Sequence, residues 1–237
     1  VVSAAAAVVS EAAVPQEVGN TMQTAAEKFL TPEEREKVTQ AVRSAECLTS
    51  GEIVPMIVSS SYDYPLASVY GGIFLAFPLT LLLSRPIASY FWLDASNVWL
   101  FLALFIPLYF AAHQVVKHVP FLQRLFASKK QIEEEVREAA VTAFFSEKLY
   151  KTKDENGILL FISVFERKVW VLADTGINAK IDKNHWQEIV EIITKGIKDG
   201  RHADSLCEAI REVGDVLKEY FPIQPDDVNE LRNLIIR

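Results

Sequence analysis

The chain has 237 residues, half of them hydrophobic and 23% charged, with a formal net charge of −7. That balance argues against the basic stripe needed to neutralise phosphates, so no nucleic acid is expected among its partners. Cys47 and Cys207 form no CxxC pair and have no histidine at zinc-site spacing, so they read as reduced, part-buried residues.

In chain order, Val1 to Val14 is almost all Ala, Val and Ser, with Glu11 as its one charge. It is too short and too weakly apolar to span a membrane, and it lacks the basic start of an intact presequence. A start at Val1 rather than Met reads as the mature end left by organellar processing. Thr31-Pro32-Glu33-Glu34 is a helix start, with a capping hydroxyl, a proline in the first turn and acids at the positive end. Val38, Ala41, Val42 and Ala45 continue that helix at helical spacing, and Thr49–Gly51 stops it. Glu52–Val58 is a buried strand, in which Pro55 predicts an edge position or a bulge.

Between Asp63 and Arg85 no residue is charged, and a second uncharged run extends from Ala95 to Val116. Each run has about the ~20 apolar residues that a membrane-crossing helix needs. Together they predict a transmembrane hairpin; the alternative is a pair of buried core helices. Pro78 and Pro107 predict kinks, and Tyr64, Tyr70, Tyr90, Trp92, Trp99 and Tyr109 are candidate interfacial anchors. Lys117, His118, Arg124, Lys129 and Lys130 follow the second run, whereas the loop between the runs carries only Arg85 and Asp94. The positive-inside rule then places the rest of the chain and both termini on the matrix or cytoplasmic side.

Beyond the hairpin, an amphipathic helix is predicted from about Lys129 to Leu149. Ile158–Phe165 is an apolar strand of the kind covered on both faces, Glu166–Lys168 a turn and Val169–Ala173 a return strand. Asp174–Gly176 closes that strand and Asp182 caps a helix through Ile193. A last helix spans Ala203–Tyr220. Strands flanked by helices on both sides predict an α/β fold, a three-layer α/β sandwich interrupted by the two-helix transmembrane hairpin. The expected division is an N-terminal tail at 1–26, a first part of the sandwich at 27–64, the hairpin at 65–116, a second part at 117–222 and a C-terminal tail at 223–237.

Three segments carry a family resemblance: Ala45–Ile53 (AECLTSGEI), Gly157–Val169 (GILLFISVFERKV), and Ala173–Ile177 (ADTGI) with Trp186 nine residues on. The stretches Leu217–Pro222 and Asn229–Asn233 look similar as well. In these residues the chain resembles the TPM domain family, in particular its branch with an inserted membrane hairpin. The resemblance implies the α/β sandwich read above. Some soluble members of the family are described as weak acid phosphatases and others as photosystem-repair or receptor-assembly factors, while many membrane members have no assigned activity.

The catalytic inventory is poor. There is no nucleophile elbow, Gly-rich phosphate loop or HExxH, and His113 and His118 fall on different helical faces. His185 and His202 read as surface residues. Glu46, Ser50 and Glu52 lie near one strand start, and Glu166, Arg167, Asp174 and Asp182 flank the central hairpin turn. Of these, Glu52, Asp174 and Asp182 are the candidate ligands of a shared Ca²⁺ or Mg²⁺, through the oxygen donors that hard cations take. Their bland roles are strand-edge charge, turn residue and helix cap. The sequence therefore predicts a non-catalytic accessory or assembly subunit of a larger membrane complex, with the lipid bilayer and other subunits as partners. The organelle left open is a mitochondrial inner membrane, for instance beside the respiratory chain, or a bacterial inner membrane. The alternative is a membrane-tethered, metal-dependent enzyme like an acid phosphatase. Two spans without an intramembrane Asp, Glu, Lys or Arg offer no ion path unless they oligomerise.

Overall fold

The computed structural model describes residues 24–94, 97–152, 154–181, 183–223 and 231–237. The Val1–Val14 segment, Asp182 and part of the Asn229–Asn233 stretch lie outside these residues. Two short steps open the fold. Thr24 caps α1 (Ala25–Phe29) and Thr31 caps α2 (Pro32–Glu46). Each is a complete capping box, closed by Glu27 and Glu34 respectively. β1 (Glu52–Val58) follows, then α3 (Pro65–Tyr90) and α4 (Val98–His118). A short α5 (Pro120–Phe126), α6 (Lys129–Ser146) and a 3₁₀ turn at Leu149–Lys151 lead into β2 (Gly157–Ser163) and β3 (Lys168–Ala173). The chain ends with α7 (Thr175–Asn178), α8 (Lys183–Lys198), α9 (His202–Tyr220) and β4 (Ile235–Ile236).

The sheet order is β3-β2-β1-β4, with β1 parallel to β2 and β4, and β3 antiparallel to β2. Side chains alternate across it. Ile53, Ile57, Ile158, Leu160 and Ile162 join the core under α1, α2, α8 and α9. Val54, Met56, Leu159 and Phe161 join a second core with Ile132, Val136, Ala140 and Phe144 of α6. Both faces of β2 are thus covered, which is why its sequence is apolar at successive positions instead of alternate ones. This is the three-layer sandwich that the sequence predicts.

Pro55 is a partial surprise, since β1 lies inside the sheet order. However, β4 pairs only with Met56 and Ile57. Arg237 N–H donates to Ile57 O and Ser59 N–H to Arg237 O, so odd-numbered residues of β1 point their main chain toward β4. The N–H that Pro55 lacks would face the stretch that β4 does not reach. There Glu46 substitutes for a strand, accepting Ile53 N–H at 3.1 Å and Asn233 Nδ2–H at 2.9 Å.

The apolar runs form two antiparallel helices, α3 with 26 residues and α4 with 21. At a 1.5 Å rise they measure about 39 and 32 Å, enough for a hydrocarbon core of about 30 Å. Both continue through their internal prolines, Pro78 and Pro86 in α3 and Pro107 in α4. Gly71 and Gly72 let the helices meet closely: a Cβ on Gly71 would lie 2.9 Å from Val116 and one on Gly72 3.0 Å from Tyr109. The most apolar window of α4 buries 0% of its residues within the chain, and that of α3 only 33%. Neither is therefore a core helix of the sandwich. Phe74, Leu82, Trp99 and Phe110 present a large apolar surface outward, such as lipid or another protein covers. The chain has two candidate membrane-spanning helices.

Tyr64 departs from its expected role as an interfacial anchor. It is fully buried at the start of α3, in the left-handed region at φ 47°. Its hydroxyl donates to Glu166 Oε1 at 2.9 Å, and burial followed by the Glu166 charge holds the phenol pKa far above its ordinary value. The same carboxylate oxygen accepts Ser61 N–H at 2.9 Å and Ser60 O–H at 3.3 Å, while Oε2 accepts the Ser163 hydroxyl. Gln123 Nε2 of α5 donates to Asp63 O at 2.5 Å and Arg124 to Phe165 O at 3.3 Å. Both ends of the hairpin are thus fastened to the β2–β3 turn. Tyr64→Phe removes one donor to a buried carboxylate, so thermal unfolding in mild detergent should show a loss of about 1.5–3 kcal/mol. An unchanged transition would contradict this role for the bond.

Candidate functional site

The sheet has two chemically distinct ends, and the candidate residues of the sequence divide between them. Glu166 and Arg167 occupy the β2–β3 turn, at the base of the hairpin. Glu52 begins β1, Gly157 begins β2 and Asp174 immediately follows β3, all at the opposite end. Strands of six or seven residues separate the two groups by roughly 20 Å at 3.3 Å per residue. Glu166 and Asp174 therefore do not share a site. Glu166 is structural, its oxygens taken by the four donors at the hairpin base.

At the far end, Glu52 pairs with Gly157, and Asp174 N–H donates to Gly157 O at 2.9 Å. The three residues thus form one cross-strand row. Alternation along the strands puts all three on the face that carries Val54, Leu159 and Leu172, under α6. Glu52 and Asp174 are two strand spacings apart, about 10 Å between Cα atoms. The residue between them has no side chain, and the Leu149 carbonyl closes on it: a Cβ on Gly157 would lie 2.6 Å from Leu149 O. The space over Gly157 between the carboxylates is thus filled by the Leu149 main chain, which puts a carbonyl oxygen there.

Both carboxylates are buried, Glu52 at 5% and Asp174 at 9% exposure. Asp174 Oδ1 caps α7, accepting Thr175 N–H at 2.7 Å and its hydroxyl at 3.0 Å. Asp174 Oδ2 is buried with no hydrogen-bond partner among the described residues. A buried acceptor without a donor is costly, and a hard cation is one group that satisfies it. Glu52 also lines a cleft of about 400 Å³ with Arg43, Glu46, Cys47 and Thr49. Arg43 of α2 lines the same cleft and is the kind of cation that a phosphate there would need. Only the fold brings it there.

The remaining candidates have structural partners. Glu46 completes the edge of β1, and Ser50 O accepts Asn156 Nδ2–H at 2.5 Å. His202, expected at the surface, stacks on Phe29 at 4.4 Å and bonds its carbonyl. Cys207 is buried and Cys47 exposed, both as free thiols. Burial pushes the Cys207 thiol up from its ordinary pKa. Asp182 lies outside the described residues, and among those described no three His, Cys, Asp or Glu side chains gather into a metal cluster. Asp174→Asn keeps the Oδ1 acceptor and turns the orphan oxygen into an amide. If the row binds a cation, millimolar Ca²⁺ or Mg²⁺ stabilises the wild type, by about 2.7 kcal/mol at a hundredfold excess over Kd, and its melting temperature rises. The variant then loses that rise, and a flat wild-type response would remove the cation from the row.

The comparisons with known proteins agree with this architecture. The sequence model of the TPM domain matches residues 123–216, from α5 through most of α9. No curated protein matches the chain. Among solved structures, the BA42 protein from the psychrophilic bacterium Bizionia argentinensis is similar, with a TM-score of 0.53 and 23% identity. That alignment covers 87% of this chain and 94% of BA42, and at this identity it speaks to the fold alone. The TPM domain match thus lies across the second part of the sandwich, the part that holds β2, β3 and the helices that follow them.

Proposed function

We propose that this protein is a membrane-anchored TPM-domain subunit, a non-catalytic accessory or assembly factor of a larger membrane protein complex. The observation that carries the reading is the hairpin. Its apolar outer surface is uncovered within the chain, yet its base is fastened to the sheet through buried polar bonds. A tether needs only to be apolar, whereas this one is also held in a fixed relation to the domain. Such a piece suits a role that presents the domain to neighbouring subunits beside a bilayer. The cationic stretch from Lys117 to Lys130 contains no acid and supports placing the domain on the matrix or cytoplasmic face. A mitochondrial inner membrane and a bacterial inner membrane both suit it.

One observation favours a second reading, a membrane-tethered, metal-dependent enzyme like an acid phosphatase. It is the orphan Asp174 oxygen in a row with Glu52, with Arg43 on the adjoining cleft. The two readings separate after extraction from native membrane in mild detergent, by native gel and by a phosphate-ester assay with Mg²⁺ or Ca²⁺. The accessory reading predicts co-migration with a large complex and no turnover. A monomer whose metal-dependent turnover is abolished by Asp174→Ala would replace it with the enzyme.

A further inference from the structure

β3 is the edge of the sheet, and its outer side is open in a way that fixes what can bind there. Asp174 N–H donates to Gly157 O, so the main chains of Lys168, Trp170 and Leu172 also turn inward to β2. Those of Val169, Val171 and Ala173 turn outward. Ala173 O is taken by Asn178 Nδ2–H at 2.5 Å. The outward N–H and C=O of Val169 and Val171 have no partner among the described residues. The edge is not bare, because α6 and α8 rise on either side and make it the floor of a groove. One cleft of about 690 Å³ is walled by Val136 of α6 and by Trp186, Val190 and Thr194 of α8. A second, of about 480 Å³, continues past the start of β3 against Phe29 and Ile197.

The charges along this groove run against the acidic balance of the whole chain. Arg167, Lys168 and Lys198 line it against the single acid Glu133, in a chain whose net charge is −7. All three cations are exposed. Lysine on an edge strand also guards against indiscriminate pairing. A guard that carboxylates can neutralise becomes a means of selection.

We infer that the β3 groove is a docking site for an extended, carboxylate-bearing segment of a partner protein, which adds to the sheet as a fifth strand. Main-chain bonds to Val169 and Val171 supply the ladder, the apolar walls take alternate side chains, and Arg167, Lys168 and Lys198 select for acid. A second copy of this chain fits the edge badly. Antiparallel pairing of two β3 strands would put their β2–β3 turns at opposite ends, and the base of the hairpin is fastened to that turn. One bilayer could not then hold both hairpins. The inference rests on the accessory reading only for who supplies the segment. Peptide capture is measured on the isolated chain, so it can fail while co-migration with a complex stands, and the reverse.

The experiment uses the full chain in detergent micelles and a synthetic heptapeptide of alternating valine and threonine with glutamate at both ends. Amide hydrogen exchange at Val169 and Val171 is the readout. At a tenfold excess over Kd the peptide should slow both amides on the order of tenfold, by mass action. A lysine-ended peptide, and one N-methylated along its bonding edge, should not. Reversing charge with Lys168→Glu and Lys198→Glu should weaken the acidic peptide by roughly tenfold. Equal capture of acidic and basic peptides, or capture of neither, would overturn the inference. So would amides already protected in the free chain. If deleting residues 1–23 released that protection, the occupant would be the chain's own N-terminal segment; if dilution released it, a second copy.

Discussion

A single buried carboxylate ties this molecule together. Removing a charged group from water is expensive unless donors replace its hydration. Glu166 is supplied with such donors from three separate places: the loop after β1, the residue that precedes α3 and the end of β2. The hairpin interrupts the sandwich between β1 and β2, so the sheet can close only if both ends of the insertion return to one point. Glu166 and its neighbour Phe165 are that point, since Phe165 O also receives Arg124 of α5 and its ring stacks on Tyr64. Loop-closure entropy grows slowly with length, so a long insertion is tolerated once its base is pinned.

This arrangement separates the two ends of the sheet by role. The end beside the hairpin is occupied by structural polar bonds. The far end holds the Glu52–Gly157–Asp174 row, where a carboxylate oxygen is left without a donor and the neighbouring cleft carries Arg43. Between them runs β3, whose outward main chain lies in a cationic groove. An apolar helical hairpin, a compact acidic row and an open edge are thus arranged along one small sheet. Any partner that reaches the domain meets it in a fixed attitude to the hairpin.

Much of this was legible in the residues because it depends on local pattern. Uncharged runs mark α3 and α4, Thr31 with Glu34 marks a helix start, and the continuous apolar run of β2 marks a strand covered on both faces. Long-range pairing was not legible. β4 is two residues near the C-terminus, and nothing in Ile235-Ile236 alone says that it aligns with Met56 and Ile57. Without it, Pro55 reads as an edge residue, which is true only of its local surroundings. Tyr64 reads as an aromatic at the head of an apolar run, and its burial follows from Glu166, 102 residues away. The candidate site divides in the same way. Glu52 and Asp174 share a row because β3 runs antiparallel to β2, whereas Glu166 goes to the other end for the same reason.

The central claim is that α3 and α4 cross a bilayer as a hairpin whose base fixes the sandwich to one face. Labelling from outside sealed proteoliposomes with a membrane-impermeant maleimide tests it directly. Cys47 is exposed on the sandwich, Cys207 is buried, and Asp94 is exposed in the connection between the two helices. With the native Cys47, and separately with Asp94→Cys in a Cys47→Ser background, the account predicts labelling from opposite sides of the membrane. Labelling of both positions from the same side would mean that the hairpin does not cross.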